Sequence, residues 1–177
     1  MKIYLIRHGE STSDIENRYG GDYDDPLTET GHQQAEDLAV TLHDKGIQTI
    51  FTSPRIRAQE TAAELQQVLD CTVSPVADLR ERNFYGVLTG MNKEEARTKH
   101  PELVALLEDR HNTLPQGEPY SQFADRVQKA WETITASSYE TVAVVTHAGP
   151  IRCIFRDILG KGELSSIGDC AYFEITL

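Results

Sequence analysis

Two short runs constrain this chain more than anything else in it. Lys2-Ile3-Tyr4-Leu5-Ile6 is almost wholly apolar, and Thr141-Val142-Ala143-Val144-Val145-Thr146 is the strongest strand candidate in the sequence. The first shows no alternation of apolar and polar residues, the pattern of a central strand buried on both faces. Helical periodicity fills the space between them. Residues 28–45 place Ala35, Leu38, Ala39 and Leu42 at i, i+3, i+4 and i+7, with Thr28 or Thr30 to cap the start and Gly46 to stop the end. A strand is expected over Ile47–Ser53. Pro54 is then expected in the first turn of a helix that carries Ala58, Ala62, Leu65 and Leu69 on one face. Thr72–Val76 reads as a strand, Glu118–Ala136 as a helix with Val127, Ala130, Trp131 and Ile134 inward, Pro150–Leu159 as a helix and Ala171–Leu177 as a last strand. Strands alternating with helices predict a three-layer α/β/α sandwich with a mostly parallel central sheet.

Residues 82–120 are less regular, with helices expected near 92–99 and 101–110. That stretch is too short to hold its own core easily, so it is expected to form a small cap or insertion within one domain spanning 1–177. The first residues look like the start of a signal peptide, but Arg7-His8-Gly9-Glu10 interrupts the apolar run too early, and a buried strand is the better reading. No apolar run is long enough for a membrane span. Three cysteines, Cys71, Cys153 and Cys170, are odd in number and lack CxxC spacing, which points to reduced thiols and a cytoplasmic setting.

In sheets of this kind, sites form at the carboxyl ends of strands. Two histidines stand there: His8 after the first strand and His147 after the strand at 141–146. Gly9 and Ala148-Gly149 follow them, so backbone can approach a ligand closely. Arg7 is beside His8, and Arg55 and Arg57 follow another strand end. The whole chain has a formal charge of -11, which argues against nucleic acid or an anionic membrane as partner. A cationic cluster on such a chain instead suggests a small anionic substrate.

Histidine and arginine together suit phosphoryl transfer. A neutral imidazole nitrogen can attack phosphorus to give a phosphohistidine that water hydrolyses. An unperturbed histidine has a pKa of about 6.5, so neutral imidazole is available near pH 7. Neighbouring arginines favour the neutral ring and bind phosphate oxygens. An acid is needed for the leaving alkoxide, and Glu81 in Leu79-Arg80-Glu81-Arg82 is a candidate that spacing alone does not single out.

Arg7-His8-Gly9-Glu10-Ser11 resembles the signature of the histidine phosphatase superfamily, the phosphoglycerate mutase-like family, and the resemblance extends over nearly the whole chain. Asp25-Pro26-Leu27-Thr28-Glu29-Thr30-Gly31, Ser53-Pro54-Arg55-Ile56-Arg57-Ala58-Gln59-Glu60-Thr61, Leu79-Arg80-Glu81 and Thr146-His147-Ala148-Gly149 are similar to its other segments. The resemblance implies His8 as nucleophile, Glu81 as proton donor, Arg7 and Arg57 as phosphate-binding arginines with Arg55 facing solvent, and His147 as a group that holds the phosphate. No metal or other cofactor is implied. Two positions depart from the family: Asp14 and Asp169 stand where asparagines are usual. A carboxylate at position 14 should repel a phosphate unless it turns away, pairs with Arg18 or Arg57, or meets a donor on the substrate.

Ser11 can donate to the phosphate or merely cap a turn, and Gly20-Gly21 can offer backbone N–H groups or form a plain turn. Ala148 belongs to the expected phosphate-binding backbone. His32, His43, His100 and His111 read as solvated, Asp22, Asp24 and Asp25 as loop and capping acids, and Trp131 and Tyr120 as packing residues. The expected function is a phosphomonoester hydrolase acting on a small phosphorylated metabolite, as a monomer or homodimer. A phosphoglycerate mutase is the nearest alternative, disfavoured because residues 82–120 carry Glu94, Glu95, Glu102, Glu108 and Asp109 against few basic residues. A catalytically weak phospho-ligand-binding module and a metalloenzyme are more distant ones.

Overall fold

The computed structural model describes every residue from Met1 to Leu177. Its centre is a five-stranded sheet: β1 (Lys2–Arg7), β2 (Thr49–Thr52), β3 (Thr72–Pro75), β4 (Thr141–Thr146) and β5 (Tyr172–Thr176), in the order β3-β2-β4-β1-β5. All neighbours run parallel except β5, which is antiparallel to β1. The unbroken apolar composition of β1 and β4 follows from this: both are central, and both of their faces are covered.

The pleat divides those strands between two cores. Ile3 and Leu5 of β1, with Val142 and Val144 of β4, face a cluster completed by Phe123, Val127, Trp131 and Ile134 of α6 (Tyr120–Thr135) and by Ile151 and Cys153 of α7 (Ala148–Cys153). Tyr4 and Ile6, with Ala143 and Val145, face the opposite layer of α2 (Glu29–Leu42) and α3 (Ile56–Leu69). There Leu38, Ala39, Leu42, Ala58, Ala62 and Leu65 complete the core. This is the expected α/β/α sandwich. No helix is long and apolar enough to cross a membrane, and all three cysteines are free, with Cys153 buried.

Several element ends differ from the sequence reading. Thr28, not Thr30, caps α2, its hydroxyl accepting from the Gly31 N–H at 3.0 Å. Pro54 lies outside α3: Arg55 keeps an extended backbone (ψ 140) and is the N-cap, so the helix begins at Ile56. The last helical stretch starts earlier than Pro150, at Ala148, and continues past Cys153 as a π-helical segment over Ile154–Ile158. A four-residue helix, α1 (Thr12–Ile15), lies directly after the first strand's loop and has no apolar period to announce it.

Between β3 and α6, residues 82–120 contain only α4 (Lys93–Lys99), α5 (Pro101–Leu106) and short turns. They do gather a small core, in which Leu88, Ala96 and Leu114 pack with Tyr19 from the far side of the chain. An isolated bridge between Arg18 and Asn92 ties the same two segments together. The stretch is thus anchored to the loop after α1 and not held only by its own ends.

Candidate active site

The register of the central strands brings the two histidines together. Arg7 and Thr146 are paired at the ends of β1 and β4, so the next residues, His8 and His147, emerge side by side. Their ring centroids are 5.0 Å apart. The ladder runs one step further, with the His8 N–H donating to the Thr146 carbonyl at 3.0 Å. On the other flank β2 is followed by Ser53, whose N–H donates to the Val145 carbonyl and whose hydroxyl meets His147 Nε2 at 2.8 Å.

His8 is almost fully buried. Its Nδ1 lies 2.7 Å from the Gly9 carbonyl, an acceptor only, which fixes the proton on Nδ1 and leaves the lone pair on Nε2. That lone pair accepts from Arg57 Nε at 3.1 Å. Burial, then the charges of Arg57 and Arg7, hold the His8 pKa well below the usual histidine range. His147 has no exposed surface, and burial followed by Arg57 lowers its pKa in the same way. Its Nδ1 has no hydrogen-bond partner in the protein. In its neutral form that nitrogen carries a proton if Ser53 donates to Nε2.

Arg57, at 3% exposure, has protein acceptors for four of its five N–H donors. Nη1 donates to the Asp25 carboxylate and to the Tyr23 carbonyl at 2.6 Å, and Nη2 donates to the Gly21 carbonyl at 2.9 Å. Gly21 has φ +55, a conformation that favours glycine, so the turn that presents this carbonyl depends on it. Asp25 also accepts from the Ser13 N–H. Burial alone would raise its pKa, but Arg57 and the Ser13 and Ser11 donors outweigh it and hold the carboxyl below the usual range. Asp25 therefore does more than cap a loop, and sequence reasoning missed its pairing with Arg57.

Glu81 is held by two backbone donors. Its Oε1 accepts from the Arg82 N–H at 2.7 Å and its Oε2 from the Gly149 N–H at 3.0 Å. A Cβ at position 149 would lie 2.1 Å from Glu81 Oε1, so only glycine allows the carboxylate this close to the start of α7. The segment carrying Glu81 is fixed from behind by Arg126 of α6. Its guanidinium donates to the carbonyls of Asp78, Arg80 and Glu81 and grips both carboxylate oxygens of Glu118.

Arg7 reaches the Ile167 carbonyl through Nη1 at 2.7 Å. The same nitrogen is 2.9 Å from Asp169, while Nη2 is 3.5 Å from Asp14. Asp14 itself accepts from the Ser11 N–H and hydroxyl, at 3.0 and 2.8 Å. Of the alternatives open to Asp14, pairing with Arg18 or Arg57 does not occur; its cationic neighbour is Arg7. Arg18 is taken by Glu16 and the Gly90 carbonyl, and Arg57 by Asp25. Arg55 does not simply face solvent either, since it pairs with Asp22 and Asp24.

A cavity of about 360 Å³ opens at this end of the sheet. Arg7, His8, Ser11, Asp14, Gly20, Gly21, Arg57, Glu81 and Ala148 all line it, whereas His147 lies behind the wall. The segment 82–120 contributes Arg82, Phe84, Tyr85, Lys93, Arg110 and Tyr120. Tyr85 is missed in the sequence reading; burial pushes its hydroxyl up to about 12, so it remains a neutral donor. The acidic residues counted in that segment do not describe the cavity. Glu94 and Glu95 pair outward with Arg97 and Lys99, and the side chains that turn inward are basic or aromatic.

Two expectations follow. In the folded protein His8 and His147 resist protonation, whereas in the unfolded chain they take up a proton below about pH 6.5. The unfolded state then binds more protons, so stability should fall as pH drops below 6.5, by at most about 1.4 kcal/mol per pH unit for each ring. Asp25 acts in a lower window, its contribution present above about 3.8 and lost only as pH falls through its depressed native pKa. Unfolding midpoints measured between pH 7.5 and 5 should therefore show a shallower decline in His8→Gln than in the parent chain; parallel declines would contradict it. Asp14→Asn removes a half-exposed carboxylate that competes for Arg7 and Ser11, and should tighten inorganic phosphate about two- to fivefold in a competition assay.

Comparison with known proteins is consistent with this geometry. The model of the histidine phosphatase superfamily (branch 1) matches residues 3–170. A protein of Escherichia coli O1:K1 / APEC named "Probable phosphoglycerate mutase GpmB" is 33% identical over 165 residues, covering 90% of this chain and 75% of the relative. The crystal structure of the alpha-ribazole phosphatase from Shigella flexneri superposes with a TM-score of 0.82 at 26% identity, covering 92% of this chain and 81% of that one. YhfR of Bacillus stearothermophilus superposes at 0.86 with 27% identity, covering 99% and 91%. With its strand-end histidines and buried arginine in place, the chain belongs to branch 1 of the histidine phosphatase superfamily.

Proposed function

We propose that this chain is a phosphomonoester hydrolase in which His8 Nε2 is the nucleophile. The observation that carries the reading is the hydrogen bond from His8 Nδ1 to the Gly9 carbonyl, which leaves Nε2 unprotonated beside a buried guanidinium. In the first step Nε2 attacks phosphorus, the N–P bond forms, and the bond to the leaving oxygen breaks. Glu81, at the cavity wall opposite the start of α7, gives that oxygen a proton. In the second step Glu81 takes a proton from water, whose oxygen attacks phosphorus and releases His8 and inorganic phosphate. Arg7 and Arg57 stabilise charge on the equatorial oxygens throughout. The Ser11 hydroxyl, which lines the cavity, supplies a further donor, and His147 backs the wall with an unpartnered Nδ1.

A mutase reading has two points in its favour. The cavity wall contributed by residues 82–120 is basic, with Arg82, Lys93 and Arg110, and GpmB bears a mutase name. The same phosphohistidine would then pass to a second hydroxyl in place of water. Hydrolysis remains the preferred reading, because three of the basic donors on that wall, those of Arg82, are spent on the carbonyls of Arg110, Asn112 and Glu118.

Brief reaction with labelled aryl phosphate and an acid-avoiding quench should trap base-stable label on the parent chain, undiminished by EDTA, and none on His8→Ala. Equal labelling of the two proteins sinks the nucleophile assignment, and label that leaves only when an acceptor alcohol is added establishes transfer over hydrolysis. Glu81→Gln should lower kcat for alkyl phosphates by about 100-fold or more, with aryl phosphates far less affected because aryl oxides leave without a proton. A uniform loss would make Glu81 a structural residue.

A further inference from the structure

The tautomer of His8 rests on one carbonyl, that of Gly9, and no regular element holds it. Gly9 and Glu10 follow β1 and precede α1, outside any helix or strand. Their backbone polar groups are nonetheless all partnered. The Gly9 N–H donates to Thr61 Oγ1 at 3.1 Å, and the Gly9 carbonyl accepts from His8 Nδ1 at 2.7 Å. The Glu10 N–H donates to Gln34 Oε1 at 2.9 Å, and the Glu10 carbonyl accepts from the Thr28 N–H at 2.9 Å. Thr61 is fixed in its role by spending its own proton on the Arg57 carbonyl one turn back in α3.

Gln34 differs from the other partners, because it grips the same peptide unit that carries the decisive carbonyl. The Gly9 C=O and the Glu10 N–H are opposite ends of one planar group, so fixing the N–H fixes the C=O. Packing makes that restraint necessary. A Cβ on residue 9 would lie 2.6 Å from the Gly31 carbonyl oxygen, so only glycine fits, and glycine leaves the peptide after it free to rotate. A flipped peptide would present an N–H to His8 Nδ1 in place of the carbonyl. The proton would then move to Nε2, the atom that has to keep its lone pair. The same packing also supplies the remedy. Gly31 approaches Glu10 so closely that a Cβ there would lie 2.1 Å from the Glu10 carbonyl oxygen. Gln34, three residues further along α2, stands on the same helical face.

Arg57 Nε also favours a lone pair on Nε2, but only in the resting site. When Nε2 turns its lone pair to phosphorus, that hydrogen bond is given up and Nδ1 alone holds the ring. As the N–P bond forms, the imidazole gains positive charge and its Nδ1–H becomes a stronger donor. The Gly9 carbonyl therefore contributes more in the transition state than in the ground state. We propose that Gln34, which lies outside the cavity wall, is a positioning residue for the nucleophile: by holding the Glu10 N–H it keeps the Gly9 carbonyl on Nδ1 of His8. The inference rests on the phosphomonoester reading above and adds to it the group that sets the nucleophile's tautomer.

Proton–nitrogen correlation NMR near neutral pH, with His8 assigned by its absence in His8→Gln, reports which ring nitrogen is protonated and needs no turnover. The parent chain should show His8 neutral with its proton on Nδ1. Gln34→Leu removes the acceptor, and Gln34→Ala removes it while leaving the best helix former in α2. Both should shift the tautomer ratio about fivefold or more toward Nε2–H. Both should also lower kcat for an aryl phosphate by roughly three- to tenfold, with KM changing less than about twofold. Gln34→Glu keeps an acceptor oxygen and should restore the parent tautomer. A ratio unchanged in the Leu and Ala variants, whatever becomes of their kcat or Tm, overturns the role of Gln34 and leaves His8 standing as nucleophile. A ratio as displaced in Gln34→Glu as in Gln34→Leu does the same. A parent chain protonated on Nε2 overturns the reading of His8 itself.

Discussion

The structure around His8 depends on one buried guanidinium. Removing a charge of this kind from water is costly unless every donor is satisfied and a counter-charge is close. Arg57 comes within one N–H of meeting both conditions: four of its five donors reach His8 and, in one loop, Gly21, Tyr23 and Asp25, the last of which is its counter-charge. Satisfying it imposes the turn at Gly21, draws the 20–25 loop against the start of α3, and aims an N–H at the one imidazole nitrogen that has no proton. Asp25 is 1% exposed and hydrogen-bonded in turn by Ser13, so the pair is positioned by the segment that includes α1. Losing either partner would leave the other charged and buried, and the surroundings of His8 would fall with it.

The second constraint is register. Because Arg7 faces Thr146 across β1 and β4, two histidines separated by most of the sequence become neighbours without any contact between their own side chains having to be selected. A slip of one residue would invert both faces of a strand whose two sides are already committed to different cores, Ile3 and Leu5 to one and Tyr4 and Ile6 to the other. The fold is held to this register by burial, and the geometry of the site is inherited from it. This is why the strand-end rule located His8, His147 and Ser53-Pro54-Arg55-Ile56-Arg57 from the sequence: apolar runs mark the central strands, and the residues that follow them have one direction in which to go.

The parts that were not legible share a physical cause. Arg82 and Arg126 direct most of their donors to backbone carbonyls, and a carbonyl leaves no trace in residue identity. Asp25 reads as an ordinary loop acid until Arg57 is known to be buried beside it. The small core of Tyr19, Leu88, Ala96 and Leu114 draws on residues too widely spaced to show a period. Net charge misled in a more instructive way. Residues 82–120 look acidic by count, yet the i,i+3 and i,i+4 pairs of α4 point their carboxylates outward, and Lys93 and Arg110 line the cavity. Composition averages over faces that a helix keeps apart.

Asp14 and Asp169 then acquire a reason within the same electrostatics. Arg7 has Asp169 at 2.9 Å and Asp14 at 3.5 Å, so before any ligand arrives its charge is already shared between two carboxylates. Burial raises the pKa of Asp169 while Arg7 opposes that rise, which ties the ionisation of the acid to the availability of the arginine. Under the proposed mechanism an incoming anion must compete with these groups for the same guanidinium. A phosphate dianion brings more charge and three terminal oxygens able to engage Arg7, Arg57 and Ser11 together, whereas a carboxylate offers one charge and two oxygens. The two aspartates would thereby weaken every anion at this position but disadvantage the singly charged ones most. Under that mechanism, selectivity for the phosphoryl end would arise from a cation whose charge is already engaged before the ligand arrives.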